Sequence, residues 1–332
     1  LLPDTVDPAP FRLARGAPYL PADAPVSRAG AASFRFFDLE TSGLSGGTGT
    51  IAFLAAIGRQ DEEGFAVRQL FLEDYPGEAA FVEAVLAELA GGPVVTYNGR
   101  AFDLPLLRTR CVMNAVPPPA LGEDLDALYC ARRLWKRVHG GASLGLLERE
   151  VLGREREEDV PGSAIPDIWF EYLRRGDHAL MRAVMSHNAS DVATLALLVA
   201  RASRAFDEPR MEAASSAIDR AGLGRALVAL GRPAEGEELL EAAAGDGDEA
   251  AGLCLSRRYR RQGRVEERRR VLGMLPRTYA SCVERAKFHE HTARDFREAL
   301  AWAAVARSLA SSAEEEGAIA VRLARLEAKL AR

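Results

Sequence analysis

The chain has 332 residues, 48% of them hydrophobic and 27% charged, with a formal net charge of -5. This is the make-up of an ordinary globular protein long enough for two domains, and it excludes a disordered, collagenous or globally basic chain. A site for a polyanion would have to be local, built from metal ions or from a cluster of arginines.

Cys111, Cys130, Cys254 and Cys282 are scattered, with no Cys-x-x-Cys pair, so the expectation is a reduced, cytoplasmic protein without structural zinc or a disulfide framework. The longest unbroken apolar run, near Leu195 to Ala200, falls far short of the roughly 20 residues of a spanning helix, and no membrane partner is expected. No charged and then apolar signal segment opens the chain. Because the chain starts on Leu1 and not on methionine, what precedes it is open.

Residues 1–30 hold six of the 17 prolines (Pro3, Pro8, Pro10, Pro18, Pro21 and Pro25), which removes backbone donors and predicts an extended arm or a linker. Short apolar runs follow from Ser33. Phe36 to Thr41, Ile51 to Ile57 and Phe65 to Leu72, joined by turns, predict three antiparallel strands, the middle one buried on both faces. The Ser45 to Gly49 loop lacks the lysine and spacing of a P-loop and reads as a tight turn rather than a phosphate cradle. Phe81, Val82, Val85, Leu86 and Leu89 have helical spacing, Pro93 to Tyr97 predicts a strand, and Phe102 to Val112 a helix with Pro105 in its first turn. Helices are then predicted over Leu125 to Val138, Ser143 to Leu152, Asp167 to Arg174 and Ala179 to Arg204. The fold class this order suggests is α/β: a ribonuclease H-like mixed sheet, three antiparallel strands and then parallel ones, flanked by helices over residues 31–207.

Past Pro209 the composition shifts to Ala, Arg, Glu and Leu. Turns at Gly231-Arg232, Gly263-Arg264 and Asp295-Phe296 recur every 32 residues, close to the tetratricopeptide period. Residues 208–332 therefore read as an all-α helical-repeat domain, with Ile319, Leu323, Leu326 and Leu330 on a capping last helix.

Within this frame Asp38 and Glu40 lie two apart on a strand, on the same face and roughly 6.6 Å apart along the backbone, where two acids can share a divalent ion. Asp103 begins a helix, where an aspartate also serves as a plain cap. His187 and Asp191 are four apart on the long helix and share a face. Four acids with a nearby histidine suit phosphodiester hydrolysis by two divalent ions, since hard cations take oxygen ligands and a histidine can accept a proton near neutrality. Asp124 and Asp126 precede a helix; Asp124 either lies near the site or caps that helix, and capping is the favoured reading. Arg108, Arg110, Arg132, Arg133, Lys136 and Arg137, and eight arginines from Arg257 to Arg270, either track a phosphate backbone or form solvated faces.

The segments Asp38-Leu39-Glu40-Thr41-Ser42-Gly43-Leu44, Asn98-Gly99-Arg100-Ala101-Phe102-Asp103 and His187-Asn188-Ala189-Ser190-Asp191 resemble the three motifs of the DEDD superfamily of 3′-to-5′ exonucleases. The Gly46 to Thr50 loop, Thr96 to Gly99, Phe102 to Leu107, Asp159 to Ser163 and His187-Asn188 resemble its YprB-type branch, ribonuclease H-like proteins with a C-terminal tetratricopeptide region. The resemblance spans about residues 34 to 205. It implies a metal-dependent 3′-5′ exonuclease acting on DNA or RNA, with Asp38, Glu40, Asp103 and Asp191 holding two Mg2+ or Mn2+ ions. By the same resemblance Thr41, Ser42, Gly43, Leu44, Asn98 and Phe102 bind the substrate's 3′ end, and His187 is the base. His187 departs from the family pattern by standing four residues before the last aspartate, the tyrosine-type spacing. The repeats would engage a protein partner. The alternative is a non-catalytic nucleic-acid-binding adaptor whose repeats recruit that partner.

Overall fold

The computed structural model describes residues 2–12, 29–43, 47–118, 123–156, 159–176 and 178–331. Contacts divide the chain into two units, one of Leu1–Asp219 with Ala229–Gly231, the other of Arg220–Val228 with Arg232–Arg332.

The first unit is built on a five-stranded sheet of β1 (Arg35–Thr41), β2 (Ala52–Gln60), β3 (Phe65–Phe71), β4 (Val94–Thr96) and β5 (Asp124–Asp126), in the order β3-β2-β1-β4-β5. The first three strands are antiparallel, and β4 and β5 run parallel to β1, as the order of elements predicts. Strand β2 lies inside the sheet between β3 and β1, where its apolar run is covered on both faces; Phe53, Leu54, Ala55 and Ala56 are fully buried. Pairing of β1 with β2 shifts register between Glu40 and Thr41, a bulge that turns the chain out of the sheet just after the two acids. Since β1, β4 and β5 are parallel, their carboxyl ends share one edge of the sheet, where open α/β sheets place their ligands.

Around the sheet pack α1 (Glu78–Leu89), α2 (Asp103–Met113), α3 (Ala127–Leu134), α4 (Leu144–Leu152), α5 (Ile165–Arg175) and the 30-residue α6 (His178–Asp207). Trp169 of α5 lies flat on Phe53 with centroids 4.9 Å apart, sealing one face of β2. Helix α6 is long and apolar enough on average to cross a membrane. Its apolar residues Val184, Val192, Leu195 and Val199 are instead buried, and the helix packs on β1, β2 and β3. Thr5–Val6 pairs with Ala29–Gly30, and Leu2, Val6 and Phe11 of the proline-rich arm are buried. Pro18, Pro21 and Pro25 lie outside the described residues.

Two expectations are corrected. The segment from Leu125 to Val138 is not one helix: its first residues pair with β4 as β5, and the helix that follows stops at the buried Trp135 before a short turn, Lys136–His139. Arg110 is no phosphate tracker. It is buried and gripped by both oxygens of Glu78, at 2.5 and 2.7 Å, and donates to the Thr48 carbonyl, pinning the loop that leaves β1.

In the second unit the helices Pro233–Gly245, Glu249–Gln262, Val265–Met274, Tyr279–Phe288, Phe296–Ser308 and Ala313–Leu330 pack each on the next. Gly263 takes a left-handed φ of 71° at its turn, as does Gly231, of the first unit, at 78°, and the arginine that follows each pairs with the glutamate three residues on. At the third turn the left-handed residue is Arg294, after a π-helical stretch His289–Ala293, so this turn arrives one residue early. The arginine cluster is largely consumed inside the unit: Arg258 and Arg264 bond Glu237, Arg270 bonds Glu241, and Arg268 is buried against Ser256 and Thr292.

Breaking the buried Glu78–Arg110 pair strands a charge away from water, so Glu78→Gln should destabilise the first unit by about 3–5 kcal/mol. Urea unfolding followed by circular dichroism should show a lower midpoint at unchanged slope; an unchanged midpoint would mean the pair holds nothing.

Candidate active site

Alternation along β1 sends Phe37 and Leu39 into the core and leaves Asp38 and Glu40 half-buried on the opposite face. Asp103, the first residue of α2, is buried to 6% exposure. Its side chain does not act as the cap of α2; its carboxylate lies by its own amide and the amide of Leu39, between the two strand acids, and both favour its charged form. Asp191 arrives from α6. The four acids are close enough to perturb one another. Burial, then repulsion from Asp191, Glu40 and Asp103, pushes the Asp38 carboxyl well above its usual range. Burial with Asp191, Asp103 and Asp159 raises Glu40 to about 8, and burial above all raises Asp103 to about 7.

Three neighbours absent from the sequence-level site set organise this pocket. Asn188, fully buried one residue after His187, donates to Asp38 Oδ2 at 2.8 Å and accepts from Gln69 at 3.1 Å, fixing the carboxylate's orientation. Asp159 Oδ1 lies 2.5 Å from His187 Nδ1. Arg156 Nη1 approaches the same nitrogen at 3.3 Å, while His187 Nε2 faces the acids, 3.6 Å from Asp191 Oδ2 and 3.9 Å from Glu40 Oε1. Against the upward push of partial burial, the His187 hydrogen bond and the Arg156 charge hold Asp159 below the usual carboxylate range. Arg156 in turn bonds Asp191 Oδ1 at 2.5 Å and Glu148 Oε2 at 2.7 Å, and the buried Glu148 accepts a further bond from Thr194. Burial raises Asp191 even against His187 and Arg156. Arg156, Asp159 and His187 border an open cavity of about 600 Å3.

The candidate substrate residues are less uniform. Thr41 Oγ1 donates to the Gly43 carbonyl and Ser42 Oγ accepts from the Ile51 amide, so both hydroxyls shape the turn leaving β1, and Gly43 lies within it. Leu44 lies outside the described residues. Asn98 is exposed, with φ of 69°, and donates its amide to Asp126; Phe102 is half-buried just before α2. Of the two further acids, Asp126 does cap α3, whereas Asp124 pairs with Arg100 at 2.9 Å.

The donor set fits a hard divalent cation: the converging acids offer only carboxylate oxygens, and their raised proton affinities mark negative charge that Arg156 and Asn188 offset in part. Among the described residues no group of three or more His, Cys, Asp or Glu side chains stands ready to hold a metal ion. Asp191 is turned to Arg156 and Asp103 to the Leu39 amide.

Residues 35–203 match the RNase H superfamily. Over 313 residues the chain is 34% identical to the uncharacterized protein YprB of Bacillus subtilis (strain 168), covering 89% of this chain and 74% of YprB. The chain belongs to the RNase H superfamily. The structure of the family B DNA polymerase from the hyperthermophilic archaeon Pyrobaculum calidifontis overlays 64% of this chain and 29% of the polymerase, with a TM-score of 0.39 and 18% identity, too loose a likeness to bear on activity. Membership of the RNase H superfamily points to nuclease activity, to nucleic acid as substrate and to divalent metal as the usual cofactor.

The raised carboxyls mean that the folded RNase H-like unit binds protons more tightly than the unfolded chain, whose acids titrate near about 4. Their stabilising effect is complete below about pH 4 and is lost as pH rises towards about 8. Without divalent ions, the melting temperature should therefore fall between about pH 5 and pH 8, and Glu40→Gln should flatten that fall. A rise over the same window would contradict the assignment.

Proposed function

We propose that the first unit is a metal-dependent phosphodiesterase that removes nucleotides from the 3′ end of DNA or RNA, in the manner of DEDD exonucleases. The observation that carries this reading is the convergence of Asp38, Glu40, Asp103 and Asp191 on one half-buried pocket, with His187 Nε2 3.6 Å from Asp191. Two Mg2+ or Mn2+ ions, when bound by these four acids, supply the charge that draws in phosphate and makes water acidic enough to attack. Asn188 holds Asp38 in place. Asp159 keeps the His187 proton on Nδ1, so that Nε2 accepts the proton of the attacking water. The turn at Thr41 to Gly43 is the proposed seat of the 3′-terminal nucleotide, with Asn98 and Phe102 beside it and Leu44, outside the described residues, following in the chain. The second unit, with its Gly-Arg turns and stacked helices, is taken as tetratricopeptide-like and as the surface for a protein partner.

One observation favours the adaptor instead: Arg156 already neutralises Asp191 where a metal would bind. Labelled single- and double-stranded DNA and RNA, incubated with Mg2+ or Mn2+, separate the two readings. A ladder of 3′-shortened products that requires metal and disappears in Asp38→Ala supports the nuclease; binding without cleavage supports the adaptor. His187→Ala should lower turnover by about 10²–10⁴ while Mn2+ binding, read by electron paramagnetic resonance, persists. Near-normal turnover would remove His187 from the mechanism.

A further inference from the structure

Beside the acid pocket, on the same edge of the sheet, lies a second cleft of about 430 Å3 whose lining includes Tyr97, Asn98, Leu128, Arg132, Lys136 and Ser143. Its position follows from the sheet: β4 pairs in parallel with β1 through Arg35–Val94 and Phe36–Val95, and Tyr97 follows directly on the carboxyl end of β4. The left-handed turn at Asn98 then leads the chain away and opens the cleft.

The charge in this cleft is unspent. Of the six basic residues the sequence marks on these helices, Arg110 is locked to Glu78 and Arg137 to Asp219, Arg133 donates to the Tyr129 carbonyl, and Arg108 lies near Asp124. Arg132 and Lys136 are exposed, and among the described residues neither has an ion-pair partner; the Arg132 guanidinium lies 5.9 Å from the Tyr129 ring centroid. Tyr97 donates its hydroxyl to the Ala142 carbonyl at 2.6 Å, which fixes its ring as part of the wall. Leu128 adds apolar surface, and Ser143, whose side chain does not cap α4, a hydroxyl.

We infer that this cleft is a subsite for the stretch of single-stranded nucleic acid next to the nucleotide being removed. Arg132 and Lys136 take consecutive backbone phosphates, and Tyr97 with Leu128 provides the flat apolar wall on which a base or sugar rests. A rigid tyrosine with flanking cations is how sequence-independent single-strand sites are made. The acid pocket repels a polyanion unless metal is present, so a neighbouring positive cleft gives the strand a point of attachment that does not depend on metal. The assignment rests on the proposal that the substrate is nucleic acid, and it adds where the strand runs and which cations hold it.

The test uses the full chain carrying Asp38→Asn to stop cleavage, with and without Arg132→Gln and Lys136→Gln. Binding of a fluorescent single-stranded oligonucleotide is followed by anisotropy between about 50 and 200 mM salt, where each phosphate contact to a single strand contributes about 0.7 to the slope of log affinity against log salt. The expected result is a slope smaller by about 1.4 in the double substitution, restored by Arg132→Lys with Lys136→Arg. An unchanged slope overturns the cleft. A lowered slope with no hydrolysis by the unsubstituted chain leaves the cleft standing and overturns the nuclease reading, so the two failures are separable.

Discussion

Mutual repulsion among four carboxylates in a half-buried pocket is the constraint that the first unit is built to withstand. Asp38 and Glu40 cannot separate, because both are fixed to one face of a strand that is paired on both sides. Asp103 is drawn towards them by the Leu39 amide, and Asp191 is carried in on a helix packed across the sheet. Isolated, such a set would spread apart or take up protons, and the raised affinities of Asp38, Glu40 and Asp103 show the second response already present. The favourable burial that keeps the acids together comes from elsewhere, from the apolar face beneath them and from α6 above it.

The sheet supplies the geometry for this. Parallel pairing of β1, β4 and β5 brings their carboxyl ends to one edge, and the segments leaving β1 and β4 are held there by polar contacts. The bulge after Glu40 and the Thr41 and Ser42 hydroxyls shape the first. Asp126 holds the second by accepting the Asn98 amide while capping α3. The Arg110–Glu78 pair fastens the chain leaving β1 through the Thr48 carbonyl. Precision at the acids thus depends on buried charges that take no part in chemistry.

What could be read in the sequence were features with a local period. The antiparallel strands announce themselves through an unbroken apolar run between turns, and α6 through its helical spacing. The three-residue β5 has no such period: Asp124-Leu125-Asp126 reads as a helix start, and only pairing with β4 makes it a strand. Asp103 presents a local signal, a cap, that the fold does not use: its side chain caps nothing and is buried beside the strand acids. The arginines mislead for a related reason, since composition counts cations but not the glutamates folding brings to them, such as Glu237 and Glu241. Asp159, Glu148 and Arg156 were illegible as a group because they meet His187, Thr194 and Asp191 only after the loop behind α4 folds back on α6.

That loop shows how the pocket is balanced. Among the described residues Arg156 is the guanidinium bonded to the acids, and it reaches a single member, Asp191, while Glu148 holds its other edge. One delocalised cation at the rim offsets about one charge, and a guanidinium donates along fixed directions, so it cannot sit between Asp38 and Glu40 as a compact ion would. Among the described residues the deeper acids meet Asn188 at Asp38, His187 Nε2 at 3.9 Å from Glu40 and the Leu39 amide by Asp103. A pocket meant solely to be closed by an ion pair would need one acid opposite Arg156. Among the described residues no guanidinium or ammonium pairs with the other three carboxylates, and such a set is what a divalent ion, the usual cofactor of the RNase H superfamily, would balance.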